Sequence, residues 1–384
     1  MFEDQRRTGG DRADQPLAMV IGPTRPAPSV LARLDSPAPP LTDPGFIAEF
    51  GYCLAALREL AGAERARAVV TPGSGTNGME SLAASLLRPG VPVLVASTGM
   101  WGDRWREICL RHGIPAYGPK APVGRAPDIG TLDELLSRRP YQALLVAHVD
   151  SSSAVRADLA ELARLAHGHG ALLLADGVSA IGAERVEFDA WDLDGYLGAP
   201  PKGLAAPAGL AFHLLGERAR QVLRTRSWQP STYSLDLAPW LPVMAATERG
   251  ESGYFQSPAG SLVLALAEAL RLALAEGRDA RVERHAALRD LLHTGLTALG
   301  IGLLVPDPAE RANGVTVAAV PAGLDPARFL GAVAEQGVIL PAGTLPATGQ
   351  RTFRIGHLGT VDEADIQRTL GAVEAALLAL GSPA

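Results

Sequence analysis

Short apolar runs, each closed by a polar or glycine-rich turn and followed by a helical segment, constrain this chain more than any other feature. Ala68-Val-Val-Thr71 runs into Pro72-Gly-Ser-Gly-Thr-Asn-Gly78, and Met79 to Leu87 reads as a helix. Pro92-Val-Leu-Val-Ala96 ends in Ser97-Thr98-Gly99, then passes through Trp101-Gly-Asp-Arg104 into a helix reaching about Arg111. Ala143-Leu-Leu-Val-Ala147 ends in His148-Val-Asp150-Ser151, and Ala171-Leu-Leu-Leu-Ala175 closes on Asp176-Gly-Val178-Ser179. Between the last two, Asp158 to His167 is an amphipathic helix with Leu159, Leu162 and Leu165 on one side. Uninterrupted apolar strands alternating with helices predict a parallel α/β sheet covered on both faces. In such sheets ligands gather at the carboxyl ends of the strands. Residues 73–76, Trp101, Ser151, Asp176 and Lys202 all fall at such ends or just beyond, which predicts one shared site.

The flanks are different. Met1 to Gln15 is polar and charged, without the apolar core of a signal peptide, and is expected to be a loose tail. Residues 17–45 are rich in proline and read as an extended arm, with one short helix near Ser29 to Leu34, that must lie across something larger. A helix from about Phe46 to Ala61 follows. After about residue 277 the pattern becomes a smaller α+β unit, with helices expected at 279–298, 325–337 and 362–380 and strands at 314–320 and 351–356. A chain of 384 residues accommodates two domains. The expected division is a tail at 1–16, an arm plus large domain at 17–277, and a small carboxyl-terminal domain at 278–384.

The basic residues carry a second signal. Of 35, only Lys120 and Lys202 are lysine. A position that stays lysine where arginine is used elsewhere suggests chemistry arginine cannot do. A lysine amine can lose its proton when desolvated and attack a carbonyl, whereas a guanidinium stays charged. Lys120 lies in a polar loop, where chance explains it. Lys202 lies in the small-residue turn Tyr196-Leu-Gly-Ala-Pro-Pro-Lys-Gly-Leu204, where a solubilising charge has little purpose. A net charge of −6 with no basic block excludes a nucleic-acid face. Two cysteines, Cys53 and Cys109, make no disulfide framework, and no Cys/His spacing suggests a metal. The most apolar stretch, Ser261 to Ala275, is interrupted by Glu268 and Arg271 and reads as a core helix, not a membrane span. A cytoplasmic protein is the expectation.

Gly73-x-Gly75-x-x-Gly78 has the glycine spacing of a dinucleotide-binding turn. The next strand, however, ends in Ser97-Thr98-Gly99, without the carboxylate that a ribose requires. What remains is a single phosphate at a helix amino terminus, or a turn needed only for packing. Asp176 reads either as a cap for the following turn or as a buried carboxylate that pairs with a cation. A protonated pyridine nitrogen would be such a cation, and a carboxylate facing it alongside a lysine Schiff base is the usual arrangement around pyridoxal 5′-phosphate.

Taken in order, Ile21-Gly-Pro23, Gly73-Ser-Gly-Thr76 with Met79-Glu80, Trp101-Gly-Asp-Arg104, His148-x-Asp-Ser-Ser-Ser, Leu174-Ala-Asp176-Gly-Val-Ser179, Lys202, Arg284-His285 and Arg354-Ile-Gly-His357-Leu-Gly359 carry a resemblance. Over roughly residues 19–380 the chain resembles the class V aminotransferases of the fold-type I pyridoxal-phosphate enzymes, near the alanine–glyoxylate and serine–pyruvate aminotransferases. The resemblance implies a mostly parallel, seven-stranded large domain with a smaller α+β domain. It implies that Lys202 holds the cofactor as a Schiff base and then moves the substrate proton, and that Asp176 keeps the pyridine nitrogen protonated. Trp101 would stack on the ring and Val178 pack on its other face, while Ser74, Gly75 and Thr76 take the phosphate and Ser151 the ring's polar edge. Arg354 would grip the substrate α-carboxylate. Tyr254 and Ser257 would reach the phosphate of a neighbouring subunit, which implies a homodimer with shared sites and an arm that wraps the partner. The implied reaction moves an amino group between a small α-amino acid and a 2-oxo acid.

The chain also departs from that pattern. Pro200-Pro201 stands where Ser-Gln is usual, removing two side-chain donors and two N–H groups. Asp150 replaces a usual Glu, Ala154 a usual Gly, and Ala342-Gly-Thr-Leu345 a glycine-rich stretch. Other chemistry on an amino acid (lyase, epimerase or desulfurase) and a non-catalytic protein of the same fold are the alternatives. Cys53 and Cys109 in helical segments weigh against a desulfurase.

Overall fold

The computed structural model describes residues 15–35, 37–348 and 351–381. The expected tail lies outside them, apart from Gln15 and Pro16. The centre is a seven-stranded sheet in the order Arg67–Gly73, Gly209–Leu215, Gly195–Gly198, Leu172–Asp176, Ala143–Ala147, Val93–Ala96, Ala116–Tyr117. Gly209–Leu215 runs antiparallel to both of its neighbours, and the other pairings are parallel. Of the four apolar runs that point to a sheet, Ala68-Val-Val-Thr71 falls in the edge strand Arg67–Gly73 and the other three in adjacent inner strands, of which Ala143–Ala147 is buried throughout.

Three strands of this sheet, Ala116–Tyr117 (in a segment read as loop to Pro127), Gly195–Gly198 and Gly209–Leu215, are absent from the sequence-based expectation. Glycine disfavours strands because it has no side chain to pack. At Gly198 that lack is the requirement, since a Cβ there would sit 2.2 Å from the Phe212 ring of the adjacent strand. The helix expected from Met79 begins earlier, spanning Gly75–Leu86. Ser74 is its N-cap in a capping box with Asn77, so most of the glycine turn is the helix's first turn.

The helix Met100–Arg111 has no cap from its own N-cap residue, Gly99. Asp150 supplies one from the neighbouring strand end. Its Oδ2 accepts from the Trp101 and Gly102 amides at 2.9 and 3.2 Å, and its Oδ1 from the Ser152 amide and hydroxyl at 3.0 and 2.6 Å. Ser152 Oγ in turn accepts from the Met100 amide at 2.9 Å. This capping fixes the helix that carries Trp101. Ala154, in the tight hairpin that follows, has φ 62°, a left-handed conformation that costs a residue with a Cβ about 1 kcal/mol.

One apolar cluster surrounds the sheet, drawing on residues from Phe46 to Leu270. A second joins Leu17 and Met19 to residues between Leu288 and Leu377. The arm therefore packs on the carboxyl-terminal elements. Leu17–Ala18 pairs in parallel with Val338–Ile339, and the Gly356 amide donates to Met19 O at 2.9 Å. Five further helices fall close to the expected positions, at Pro44–Leu60, Gly260–Glu276, Arg278–Ala298, Pro326–Glu335 and Glu363–Ala379, whereas Glu217–Thr225 and Trp240–Glu248 were not expected. No helix of the described residues is long and apolar enough to cross a membrane.

Candidate active site

The carboxyl ends of the parallel strands open onto a cavity of about 430 Å³. Ser74, Gly75, Thr76, Trp101, Ser151, Asp176, Val178, Lys202 and Arg354 all line it, so nine of the residues singled out in the sequence meet in one place. Tyr254 and Ser257 do not line it. Both are exposed, Tyr254 by 70%.

Lys202 Nζ donates to Ser179 Oγ at 2.8 Å and lies 5.4 Å from the centre of the Trp101 ring. Burial pulls the amine down from the ordinary lysine range to about 8. The carboxylates of Asp176 and Asp150 oppose that shift, and the Arg354 guanidinium adds to it. Asp176 ends its strand with Oδ1 accepting from the Val178 amide at 2.9 Å, so it does cap the next turn. It is also buried and lines the cavity, so the cap and the site carboxylate are the same residue. Burial raises it to about 6, against the Val178 bond and the Lys202 charge, while Asp150 adds to the rise. At neutral pH it is still mostly ionised.

Trp101 is held at two points. Its amide is capped by Asp150, and its indole N–H donates to Ser151 Oγ at 2.7 Å. Ser151 keeps its own hydroxyl proton for another acceptor. At the amino end of Gly75–Leu86, Asn77 Oδ1 accepts from both the Ser74 amide and the Ser74 hydroxyl at 2.8 Å. The first-turn amides of Gly75 and Thr76 have no helical partner and remain for an anion. Arg354 sits on Thr352–Gly356 with Nε donating to Ala342 O at 3.0 Å, and burial lowers it from the ordinary arginine value.

These donors and acceptors suit pyridoxal phosphate. An N–H-rich helix end meets a phosphate, a buried carboxylate meets a ring nitrogen, an indole and a valine offer two faces, and a desolvated lysine meets an aldehyde. Three contributors were not visible as such in the sequence. Ser179 touches the amine, Asp150 caps the tryptophan helix, and Thr24 binds the lysine loop, donating through Oγ1 to Lys202 O at 2.7 Å. The Asp-Gly-Val-Ser motif gave the one available signal for Ser179.

Comparison with known proteins agrees with the geometry. The aminotransferase class-V family profile matches residues 46–368. The chain is 31% identical to alanine–glyoxylate aminotransferase 1 of Saccharomyces cerevisiae, over 89% of this chain and 91% of that one. It is 28% identical to the L-aspartate–glyoxylate aminotransferase of Paracoccus denitrificans, over 95% and 91% of the two chains. The solved structure of the ureidoglycine–glyoxylate aminotransferase of Bacillus subtilis superposes with a TM-score of 0.89 at 25% identity, covering 98% of this chain and 96% of that one.

Proposed function

This chain belongs to the class V aminotransferases, which are pyridoxal-phosphate enzymes, and we propose that it moves an amino group from an alanine- or serine-like amino acid to glyoxylate or pyruvate through Lys202. The convergence of the Lys202 amine, the Asp176 carboxyl, the Trp101 ring and the Arg354 guanidinium on one cavity carries this reading. When bound, the cofactor supplies an electron-accepting ring that lets the bond between Cα and hydrogen of an amino acid break.

The chain's own residues do the rest. Asp176 holds the proton on the ring nitrogen. Trp101 and Val178 fix the plane of the ring, and the Gly75 and Thr76 amides, with the Thr76 hydroxyl, take the phosphate, while the Ser74 hydroxyl is spent on Asn77. Ser151 donates to the ring's polar edge. Arg354 orients the substrate by its α-carboxylate. The Lys202 amine, partly neutral near pH 8, would take the proton from the substrate Cα and deliver it to C4′, the cofactor carbon that Lys202 itself had held. Apart from Lys202, Arg354 is the one cation among the described cavity residues, and Val20, Ile21, Met79, Leu210 and Pro341 are apolar. A second substrate carboxylate would be buried there without a partner from this chain, which favours a small neutral side chain. Cys53 and Cys109 are free and buried in helices, their thiols are pushed up by burial, and neither lines the cavity. A desulfurase nucleophile is therefore missing from the site.

The exposed Tyr254 and Ser257 support a homodimer in which each copy completes the partner's phosphate site, whereas the arm expected to wrap that partner packs on its own chain. The two apolar clusters support a cofactor-binding unit ending near 277 and a smaller unit from 278 onward, to which the arm residues Leu17 and Met19 add. The two free thiols suit a reducing compartment, the cytoplasm. The test mixes the purified holoenzyme with a panel of amino acids and glyoxylate or pyruvate, and follows the oxo acid formed from the donor. Turnover is expected with alanine or serine, and Lys202→Ala should lower it by about 10²–10⁴-fold or more. No oxo acid from any donor, or full turnover in Lys202→Ala, would sink the proposal.

A further inference from the structure

Pro200 and Pro201 have no N–H, so the approach to Lys202 can be fastened only through its carbonyls. Each of those carbonyls has a donor. Pro200 O accepts from the Ala206 amide at 3.1 Å, and Gly203 O from Arg281 Nη2 at 2.5 Å. Pro201 O accepts from the Thr24 amide at 2.9 Å, and Lys202 O from Thr24 Oγ1 at 2.7 Å and the Ala205 amide at 2.9 Å. The turn is strained, with Ala205 in a left-handed conformation at φ 48°, so it depends on what holds it from outside.

Thr24 belongs to the arm, about 180 residues away in sequence, and is buried. Gly22, two residues earlier, lies against the lysine stem. A Cβ there would stand 3.1 Å from Lys202 Cγ and 3.0 Å from Pro201 O, at a φ of 151°. The same arm is tied to the elements around Arg354. Met19 bonds to both Ile339 and Gly356, and Thr360 Oγ1 donates to Arg25 O at 3.0 Å. The segment 17–25 is thus a strap between the lysine loop and the strand that bears Arg354.

We propose that Thr24 is a positioning residue for Lys202, whose hydroxyl holds the proline-rich turn so that the amine stays in its buried place beside Ser179. Thr24 lines no part of the cavity, so it acts through the loop rather than on a ligand. The inference rests on Lys202 being the reactive amine. Without the hydroxyl, the turn loosens and the amine gains water. The groups that face it are Ser179, Trp101, Asp176, Asp150 and Arg354, and they stay in place.

The chain's two lysines make the test specific. The full chain, stripped of cofactor, is labelled with trinitrobenzenesulfonate across pH 6–11, and the Lys202 and Lys120 peptides are quantified by mass spectrometry. Lys120 is exposed and serves as the internal reference. In the wild type, Lys202 should label with a midpoint pH below that of Lys120. In Thr24→Val the midpoint should rise toward that of Lys120, cutting Lys202 labelling at pH 8 about three- to tenfold, the effect expected of one hydrogen bond. Thr24→Ser should restore it. In the holoenzyme, Thr24→Val should lower kcat with little change in KM. Thr24→Ala replaces Thr24→Val if the latter fails to fold. A merely structural role would lower Tm and leave the Lys202 midpoint unmoved, and that result overturns the proposal. Equal midpoints for Lys202 and Lys120 in the wild type would instead overturn the reading of Lys202, and Thr24's role with it.

Discussion

Arg354 bonds through Nε to Ala342 O, and no hydrogen bond joins its Nη atoms to the described residues, so its outer edge is available to a carboxylate. A bidentate, charge-assisted pair of this kind is lost with the side chain. Arg354→Ala should raise KM for the amino donor about ten- to hundredfold, from the 1.5–3 kcal/mol typical of hydrogen bonds to charged groups. Arg354→Lys should fall between, because an ammonium keeps the charge and loses the fork. Steady-state kinetics with the best donor decide it, and an unchanged KM in Arg354→Ala would remove the residue from the substrate clamp. Arg354 was legible only through its motif, since one arginine on a strand carries no signal by itself. Lys202 was legible because arginine has replaced lysine almost everywhere else, and Asp176 because it closes a run of apolar residues. Ser179, Thr24 and the capping role of Asp150 were not. Their partners lie 23, 178 and 49 residues away, at distances set by how loops cross, which local pattern does not encode.

The helix Gly75–Leu86 joins two tasks at its first turn, and they can be separated. Ser74 closes the capping box with Asn77, while Thr76 lines the cavity with a hydroxyl that bonds to none of the described residues. Ser74→Ala should therefore destabilise the cofactor-free protein by about 1 kcal/mol, the usual worth of an N-cap. Thr76→Ala should leave that stability unchanged and weaken cofactor binding severalfold. Urea unfolding without cofactor and a cofactor titration measure the two effects. A Thr76 variant that loses stability but not affinity would reverse the assignment. The parallel strands were legible because burial on both faces leaves them uniformly apolar. The helix start was misplaced by four residues, because glycine, serine and asparagine read as a turn until their capping pattern is seen. Gly195–Gly198 was hidden because its glycines make room for neighbours, Leu174 at Gly195 and the Phe212 ring at Gly198, rather than filling space themselves.

At the scale of the whole molecule, the polar groups sealed inside the fold set its response to acid. Burial lowers His148 and His285 to about 3, and His213 and His293 to about 4. His357 is driven well below the ordinary imidazole value by burial and by its neighbours His293 and His285. The Thr316 hydroxyl lies 2.9 Å from both His293 Nε2 and His357 Nε2, so protonating either ring sets a charge beside the other in a dry interior. A histidine lowered in the folded state contributes stability that is fully present above its unfolded value of about 6.5 and is lost as pH falls toward the folded value. Three carboxyls act the other way. Burial raises Asp176 to about 6 and Glu184 to about 7 and also raises Asp150, so each takes up its proton in the native state first and offsets part of the loss as pH falls. Five imidazoles against three carboxyls leave the unfolded chain the richer in protons near pH 5, so stability falls with pH there. The urea midpoint should therefore be nearly level from pH 8 to 7 and fall steeply below about 6.5. His293→Gln and His357→Gln each remove one titrating ring and should each flatten that fall by about one proton. A midpoint that stays level or rises between pH 6.5 and 5 would mean that these rings are reached by water in the native state, and the buried-histidine account would fail.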